Sequence, residues 1–332
     1  MIPKILFYSS QSYDVEFFKK WNKNFQFELE FVNLPLNERT ASLSNGYHAV
    51  CIFVNDIVNE SIAKTLSNNG VSLIALRCAG FNNVDIESTS KHNLKVVRVP
   101  AYSPNAVAEH AVSLILTLNR KTHKAYNRVK ELNFSLNGLM GFDLNQKVVG
   151  VIGTGKIGSV FSRIMRGFGS RVLAYDIIQN PDLVKENIVE YVDLETLFRN
   201  SDIISLHCPL TPETKYIINE KTISLMKDGV MIINTGRGAL IDTKAVIQGL
   251  KKRKIGYLGL DVYEQEENLF FKDHSHEIIE DDLIARLITF PNVLITSHQA
   301  FFTENALNEI AHTTLSNIYN FFIKKQIVNE VK

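Results

Sequence analysis

Short runs of aliphatic and β-branched residues alternate with amphipathic stretches from the N-terminus to Val99. The runs predict strands at Ile5–Tyr8, Phe27–Val32, Ala49–Val54, Val71–Leu76 and Val96–Val99. Apolar residues at helical spacing lie between them, in Val15–Trp21 and in Ser61–Leu66, and an Asn-Asn-Gly stop follows the second stretch. This alternation predicts a parallel sheet covered by helices.

A second alternation of the same kind begins at Lys147. It predicts six further strands, at Val148–Ile152, Val172–Tyr175, Ile203–Leu206, Val230–Ile233, Leu258–Leu260 and Val293–Thr296. Between the two alternations, Ser103 can cap a helix and Pro104 can occupy its first position, so we expect one long helix from Ser103 to about Glu131. The apolar face of Glu304–Ile323 predicts a last helix that packs on the first domain.

The whole pattern predicts an α/β protein with two doubly wound parallel-sheet domains. The first alternation is typical of a flavodoxin-like domain, and the second, with six strands, is typical of a Rossmann domain. A chain of 332 residues suits about two domains of ordinary size. We expect a discontinuous division, in which a Rossmann domain of residues 102–299 is inserted into a flavodoxin-like domain of residues 1–101 and 300–332.

The composition argues against several classes of function. The 36 Lys and Arg residues against 35 Asp and Glu residues give a formal net charge of +1, so the chain lacks the broad basic surface that binds nucleic acid or anionic lipid. The longest apolar stretch, Ala111–Leu118, is far shorter than the roughly 20 residues of a membrane span. Three widely spaced cysteines, Cys51, Cys78 and Cys208, indicate neither a disulfide framework nor a zinc site. We expect a cytoplasmic protein.

A glycine-rich loop joins the strand Val148–Ile152 to an amphipathic helix and reads Gly153-Thr154-Gly155-Lys156-Ile157-Gly158. In such a unit the first glycine allows a tight turn, the second lets the backbone approach a pyrophosphate, and the third lets helix and strand pack closely. The helix N-terminus favours phosphate, which we expect over the amides of Lys156 and Ile157. Asp176 ends the next strand, where a carboxylate accepts hydrogen bonds from an adenosine ribose and repels a 2′-phosphate. We therefore expect NAD rather than NADP.

Ligands of open parallel sheets bind outside the carboxyl ends of the strands. In the second domain these ends carry His207-Cys208-Pro209, Asn234 to Gly238, Asp261 with Glu266, and Ser297-His298-Gln299. Arg237 offers the planar fork that binds a carboxylate, and His298 can exchange a proton near neutral pH. Beside a nicotinamide, which exchanges hydride, this pair serves the oxidation of an alcohol or the reverse reaction.

Spacing leaves two choices open. Glu264, Glu266 and Glu267 are all placed to hold the imidazole of His298, and Asp261 either binds the cofactor or caps a loop.

The remaining histidines and acidic residues are weaker candidates for a catalytic or metal-binding role. Asp273–Glu277 contains metal-ligating residue types, but it lies in the aperiodic stretch Glu264–Asp282 without a third ligand at helical spacing, so we expect no metal. His110 and His123 fall within the predicted long helix, where we expect structural roles.

Seven stretches together carry a resemblance that covers nearly the whole chain: Leu76–Asp85, Val99–His110, the glycine loop, His207–Thr211, Asn234–Asp242, Asp261–Glu266 and His298–Phe301. They are similar to the NAD-dependent D-2-hydroxyacid dehydrogenases. The segment between Glu266 and His298 is longer than in the phosphoglycerate, glycerate and formate branches of that family and resembles the fermentative D-lactate branch. The resemblance implies an enzyme that reduces pyruvate to D-lactate with NADH.

The resemblance also implies a role for each site residue. It makes Arg237 the residue that binds the substrate carbonyl and carboxylate, His298 the acid/base and Glu266 its partner. The implied substrate contacts are the amides of Ala79 and Gly80, with Tyr102, Arg237 and Phe301. The implied cofactor contacts are Gly153, Gly155, Lys156, Ile157, Gly158, Asp176, His207, Cys208, Pro209, Thr214, Thr235, Gly236, Arg237 and Asp261.

Two positions depart from the family pattern. Gly236 stands where relatives usually have Ser or Ala, and Thr214 stands where many have Asn near the nicotinamide ribose. Both departures concern cofactor geometry rather than the reaction. The alternatives are a reductase of a bulkier 2-keto acid and a non-enzymatic NAD-sensing protein of the corepressor type. The family further implies a homodimer or a dimer of dimers.

Overall fold

A computed structural model describes residues 2–266 and 269–331 of the chain. The chain forms two compact units, one of Met1–Ser103 with Phe302–Lys332 and the other of Pro104–Phe301. The unit boundaries lie at 103/104 and 301/302, within two residues of the expected domain bounds at 101/102 and 299/300, which stay a prediction. The first of them coincides with the start of a helix at Pro104.

The N-terminal part of the first unit alternates strands and helices as the pattern predicts. Its elements are β1 (Lys4–Phe7), α1 (Ser12–Asn22), β2 (Glu28–Phe31), β3 (Ala49–Ile52), α2 (Glu60–Asn68), β4 (Leu73–Leu76), α3 (Ile86–Lys91) and β5 (Lys95–Arg98). The five strands are parallel in the order β2-β1-β3-β4-β5, which is the flavodoxin-like order. β3 and β4 are wholly buried because helices cover both faces of a parallel sheet.

The second unit contains the longer alternation. Its elements are α4 (Pro104–Arg120), α5 (Thr122–Lys130), β6 (Val148–Ile152), α6 (Lys156–Gly167), β7 (Arg171–Tyr175), α7 (Pro181–Lys185), β8 (Glu190–Tyr191), α8 (Leu194–Asn200), β9 (Ile203–Leu206), α9 (Glu220–Leu225), β10 (Val230–Asn234), α10 (Thr243–Lys251), β11 (Ile255–Leu260), α11 (Asp282–Ile288) and β12 (Val293–Ile295).

The strands of the second unit form one parallel sheet in the order β12-β11-β10-β9-β6-β7-β8. Counted from β6, this is the Rossmann order 3-2-1-4-5-6 with one further strand at the edge. The sheet has seven strands rather than the six expected, because β8 is too short to show any alternation in the sequence. The chain reverses its direction of winding between β6 and β9, and the carboxyl ends of these strands therefore border the crevice where ligands of such folds bind.

The long helix expected from Ser103 to Glu131 is wrong, because it is two helices. Lys121 has a left-handed backbone (φ 52°) and separates α4 from α5. The returning chain is held against the end of α4, where the buried Asn119 side chain bonds both the N–H and the carbonyl of Phe142, at 2.8 and 2.7 Å. α4 buries an apolar stripe in its own unit, whereas no residue of α5 is buried.

The last helix, α12 (Glu304–Phe322), packs against α1 of the first unit, as its apolar face predicts. The residues after it return to the sheet and bond the free edge of β5, with Val331 N–H donating to Val96 O at 2.9 Å and Arg98 N–H donating to Asn329 O at 3.1 Å. This antiparallel pairing closes an edge that would otherwise offer unpaired backbone groups.

Within residues 2–266 and 269–331, no helix is both long enough and apolar enough to span a bilayer. In the described part of the chain, no disulfide is found at Cys51 or Cys208.

Candidate functional site

The glycine loop lies between β6 and α6, at the point where the second sheet changes winding direction. Gly153 has φ 97°, and a Cβ there would lie 2.5 Å from the backbone N of Cys208. A Cβ on Gly158 would lie 1.9 Å from the carbonyl oxygen of Gly153. At Gly155, by contrast, a Cβ would have no atom within 4 Å. Close packing therefore requires two of the glycines, while the third faces open space.

The first turn of α6 has free donors beside that open space. Its first helical hydrogen bond runs from Ser159 N–H to Gly155 O, at 2.9 Å. The N–H groups of Lys156, Ile157 and Gly158 precede that bond and have no acceptor within the helix, and no side chain caps it. Free amides at a helix N-terminus are suited to phosphate oxygens.

Asp176 is fixed at the rim of the glycine loop. Its Oδ2 accepts hydrogen bonds from the N–H and the hydroxyl of Thr154, at 2.5 and 3.1 Å, and its Oδ1 accepts from Ile178 N–H at 3.1 Å. The Tyr191 hydroxyl lies 2.7 Å from the Thr154 hydroxyl and accepts from Asn180 N–H at 2.8 Å. A carboxylate has about four acceptor positions, so acceptor capacity remains for a ribose.

Tyr191 was not expected from the sequence. It lies in the short strand β8, which the hydrophobic pattern does not reveal.

A cavity of about 630 Å³ extends from this loop, in the size range of small-molecule sites. Expected cofactor residues form much of its lining: Gly153, Gly155, Asp176, His207, Cys208, Pro209 and Thr214. Burial lowers the pKa of His207 to about 3, so its ring is neutral at physiological pH, and it packs against Phe161 with 4.8 Å between ring centroids. Burial raises the pKa of the Cys208 thiol to about 11.

The positions that depart from the family pattern are accommodated locally. A Cβ on Gly236 would have its nearest neighbour at 3.5 Å, so Ala would fit there as well. The Thr214 hydroxyl donates to Pro209 O at 2.7 Å and accepts from Thr211 N–H at 2.8 Å, and it holds the turn that borders the cavity.

Thr235 Oγ1 is buried and has no hydrogen-bond partner among the described residues, which suits a site completed by a ligand. These features fit a bound dinucleotide.

Arg237 follows β10 in a loop that Asn234 organises. The Asn234 side chain accepts from Gly236 N–H at 3.0 Å and donates to Arg237 O at 2.8 Å. The guanidinium donates to Gly236 O at 2.8 Å, and no described carboxylate forms an ion pair with it. Arg237 is half-buried, so this cation is partly removed from water while keeping donors for an anion.

Gly238 brings the Arg237 loop onto the segment that follows β11. A Cβ at Gly238 would lie 2.1 Å from the carbonyl carbon of Tyr263 and 2.3 Å from the N of Glu264. The backbones touch here, and only glycine permits that approach. Tyr263 N–H in turn donates to Glu266 Oε2 at 2.8 Å, so the same segment also orients Glu266.

Glu266 holds the ring of His298. Its Oε1 lies 2.7 Å from His298 Nδ1, and both side chains are 18% exposed. A carboxylate only accepts, so Nδ1 carries the proton in this bond. His298 Nε2 has no hydrogen-bond partner within the part of the chain that the structure describes, and it is the nitrogen left to exchange a proton.

Of the other two candidate partners of His298, the structure describes only Glu264. Glu264 lies beside Thr243 and Tyr216, and burial raises its pKa. Glu267 lies outside the described residues.

A buried carboxylate, Asp261, fixes the backbone around His298. It has no exposed surface and accepts from Gln299 N–H at 2.9 Å, from Ala300 N–H at 2.8 Å and from the Thr296 hydroxyl at 2.5 Å. His298 N–H donates to the Asp261 carbonyl at 2.7 Å. These bonds hold His298 in a left-handed conformation, φ 53°, which is strained for a residue with a side chain. In the structure Asp261 therefore anchors the loop, and a cofactor contact at this residue stays a prediction.

His110 has a role beyond the one its helix position indicates. Its Nε2 lies 3.0 Å from the Thr296 hydroxyl and 3.3 Å from Asp261 Oδ1. Because the Thr296 hydroxyl gives its proton to Asp261, His110 Nε2 acts as the donor to Thr296. His110 thus joins α4 to the loop of His298, and no spacing within the sequence signals that contact.

The remaining predicted substrate residues lie in the loop that follows β4 and next to the two unit boundaries. Ala79 and Gly80 are partly exposed in the loop that follows β4, and neither N–H donates to any described residue. Tyr102 is partly exposed and directly precedes the end of the unit at Ser103. Phe301 is buried and is the last residue of the second unit.

Comparison with known proteins gives concordant matches. Residues 112–300 match the family model "D-isomer specific 2-hydroxyacid dehydrogenase, NAD binding domain". The chain is 52% identical to the D-lactate dehydrogenase of Escherichia coli K12 over 99% of both chains. It superposes on the pyruvate reductase of Chlamydomonas reinhardtii with a TM-score of 0.93, at 45% identity over 99% of this chain and 98% of that one. It also resembles a D-2-hydroxyisocaproate dehydrogenase, with a TM-score of 0.85 and 32% identity over 99% of both chains.

The backbone contact at Gly238 gives a testable prediction. Gly238→Ala forces the Arg237 loop away from Tyr263, and because a displacement of about 1 Å can cost about 10²-fold, kcat/KM for keto-acid reduction should fall by about that factor. Gly236→Ala is the matched control and should stay within about twofold, because its Cβ has room. NADH oxidation with pyruvate measures both variants, and thermal melting confirms that each folds. Equal activity in the two variants contradicts the packing argument.

Proposed function

The chain belongs to the D-isomer specific 2-hydroxyacid dehydrogenases, and on that basis we propose that it is a D-lactate dehydrogenase that interconverts pyruvate and D-lactate with NAD. The observation that carries the proposal is the Glu266–His298 pair, whose members follow the neighbouring strands β11 and β12, with Arg237 in the loop that follows the next strand, β10. This arrangement supplies a proton-exchanging group and an unpaired cation at one edge of one sheet. A 2-keto acid needs both.

In the proposed reaction His298 is the acid/base. NADH, held at the glycine loop and Asp176, would supply the hydride for the keto carbon. His298 in its charged form gives the Nε2 proton to the keto oxygen and becomes neutral, while Nδ1 stays bonded to Glu266. Glu266 therefore fixes the orientation of the ring and keeps the Nδ1 proton of His298 in place. In the reverse direction neutral His298 accepts the hydroxyl proton.

Arg237, Ala79 and Gly80 are the proposed ligands of the substrate carboxylate. The guanidinium of Arg237 has donors in a planar fork and no described carboxylate partner, so it can bind the carboxylate and polarise the keto oxygen. The free amides of Ala79 and Gly80 are suited to the same anion. We propose Tyr102 and Phe301 as further substrate contacts.

The cofactor residues proposed from the sequence keep that assignment. The free amides of α6, the fixed carboxylate of Asp176 and the unpartnered hydroxyl of Thr235 support it. Within this assignment, residues 102–299 form the NAD-binding domain, and residues 1–101 and 300–332 form the substrate domain.

The sequence identities favour pyruvate over a bulkier keto acid. Identity to the Escherichia coli D-lactate dehydrogenase and to the Chlamydomonas pyruvate reductase is 52% and 45%, whereas identity to the D-2-hydroxyisocaproate dehydrogenase is 32%.

We further propose a cytoplasmic homodimer or dimer of dimers. Three cysteines, odd in number and widely spaced in the sequence, suit a reducing compartment. The segment after α5 exposes Leu132, Phe134, Leu136 and Met140, each at 70% or more. A monomer rarely leaves such a run of apolar side chains in water, so a second copy is the proposed cover.

The substrate is tested by a panel of keto acids. With NADH and the wild-type protein, pyruvate should give a higher kcat/KM than 2-ketoisocaproate or phenylpyruvate, and the product should be the D isomer. NADPH should be the poorer cofactor, because the Asp176 carboxylate repels a 2′-phosphate. A higher kcat/KM with a branched or aromatic keto acid would contradict the assignment of pyruvate as the substrate. NADH binding without reduction of any keto acid would favour the corepressor-like alternative.

The acid/base assignment is tested by His298→Gln. Because the variant keeps a polar side chain but cannot carry the proton, kcat should fall by roughly 10²- to 10⁴-fold. The Kd for NADH, measured by fluorescence, should change little. His276→Gln, an exposed histidine in the irregular segment, is the control and should keep wild-type turnover. Wild-type turnover in His298→Gln would refute the assignment.

The exposed apolar segment is tested by Leu136→Glu. A charge in a buried interface is costly, so the variant should shift to a smaller species in sedimentation velocity at micromolar concentration. Ile278→Glu is the control, because Ile278 is 92% exposed outside this segment. An unchanged sedimentation coefficient for Leu136→Glu would place any interface elsewhere.

A further inference from the structure

Three carbonyl groups of the loop after β4 each accept a hydrogen bond from within the same unit. Cys78 O accepts from Val99 N–H at 3.2 Å, and Gly80 O accepts from the Cys78 thiol at 3.2 Å. Between them, Ala79 O accepts from Arg98 Nη1 at 2.7 Å. Three consecutive carbonyls are therefore fixed by partners within the same unit.

The amides of this loop are free. The N–H groups of Ala79 and Gly80 donate to nothing among the described residues, and both residues are partly exposed. In a planar peptide the N–H points opposite to the preceding C=O, so fixing the carbonyls of Cys78 and Ala79 also fixes the directions of these two N–H groups. Two consecutive free amides with fixed directions are donors suited to an anion.

Arg98 is placed to act on these two amides through the carbonyl of Ala79. Its guanidinium packs over the ring of Phe81, 5.1 Å from the centroid, and no described carboxylate pairs with it. The nearby acid Glu330 is bonded to Lys95 instead, at 2.9 Å. The backbone of Arg98 is held on both sides, because its N–H donates to Asn329 O and its carbonyl accepts from Asn317 Nδ2 at 2.9 Å. Arg98 is thus a fixed cation whose charge no described acid neutralises.

We infer that Arg98 is a positioning residue for recognition of the substrate carboxylate, acting through the peptide group between Ala79 and Gly80. The inference deepens the proposed function and rests on it. Arg98 binds the carbonyl end of this peptide, and the N–H of Gly80 is its other end. A cation on the carbonyl oxygen polarises the group, which strengthens the N–H as a donor. It also places positive charge behind the amides that face the anion.

This role of Arg98 predicts different effects of its loss on charged and on neutral substrates. A 2-keto acid presents a carboxylate to the two amides, whereas a neutral 2-keto ester presents none. Loss of Arg98 should therefore weaken binding of the acid far more than binding of the ester, because only the anion interacts strongly with the polarised amide. Hydride transfer and proton transfer occur at the keto group, so kcat should change less than KM.

The test compares Arg98→Met with Arg98→Lys, Arg98→Gln and the wild-type protein. Arg98→Met keeps length and apolar packing but loses the donor and the charge, and the KM for pyruvate should rise about tenfold, because a hydrogen bond to a charged group contributes about that factor. Arg98→Lys keeps the charge and should recover part of the loss. Arg98→Gln keeps a donor without charge and should lie between wild type and Met. With methyl pyruvate the same variants should stay within about twofold of wild type.

Lys95→Met is the matched control. Lys95 lies on the same strand and pairs with Glu330 of the C-terminal segment, so its loss removes a charge and disturbs the same edge without touching Ala79. It should leave the KM for pyruvate unchanged. NADH affinity and thermal melting of every variant report whether the fold is intact, and Arg98→Lys and Arg98→Gln carry the test if Arg98→Met does not fold.

Three results would overturn the inference. They are an unchanged KM for pyruvate in Arg98→Met, an equal loss with pyruvate and methyl pyruvate, and a loss confined to kcat. A wild-type protein that reduces no keto acid would instead contradict the proposed function and is distinguishable from all three.

Discussion

The buried carboxylate of Asp261 is the interaction on which the arrangement of the reactive residues depends. A carboxylate with no exposed surface is unfavourable unless donors replace its water, and here the donors are the N–H groups and the hydroxyl of one short loop. Satisfying the charge therefore fixes the loop. His298 lies within it and keeps a left-handed backbone that costs on the order of 1 kcal/mol because its neighbours cannot relax. The ring is then oriented separately by Glu266.

Each of the two units offers an anion a different kind of binding group. In the second unit, Arg237 follows β10 and pairs with no described carboxylate, and close backbone packing at Gly238 holds its loop against the segment of Glu266. In the first unit, the donors are two backbone amides whose carbonyl ends are tied down, with Arg98 behind them. A net charge of +1 is compatible with both arrangements because the positive groups are local. A small anionic substrate needs no extended basic surface.

The hydrophobic pattern predicted most of the fold, since strands and helices that bury one face must repeat their apolar residues at a fixed period. It failed where burial did not set the pattern. β8 has only two residues, too few to alternate. The helix break lies at Lys121, beside the contact of Asn119 with the returning chain, and no residue of α5 beyond it is buried. The pairing of Val331 with Val96 joins segments that are distant in the sequence.

The sequence by itself determined the chemistry that each strand end carries, because the glycine loop, Asp176, Arg237 and His298 are local features with local signatures. Together with its resemblance to a family, it also singled out Glu266 among three neighbouring glutamates. Only the tertiary structure decided how these groups are held. The contacts of His110 with Thr296, of Asp261 with Gln299 and of Arg98 with Ala79 join residues on different elements. Such contacts depend on which elements become neighbours in the sheet and on which polar groups lose their water, and neither condition is written in the spacing of residues along one chain.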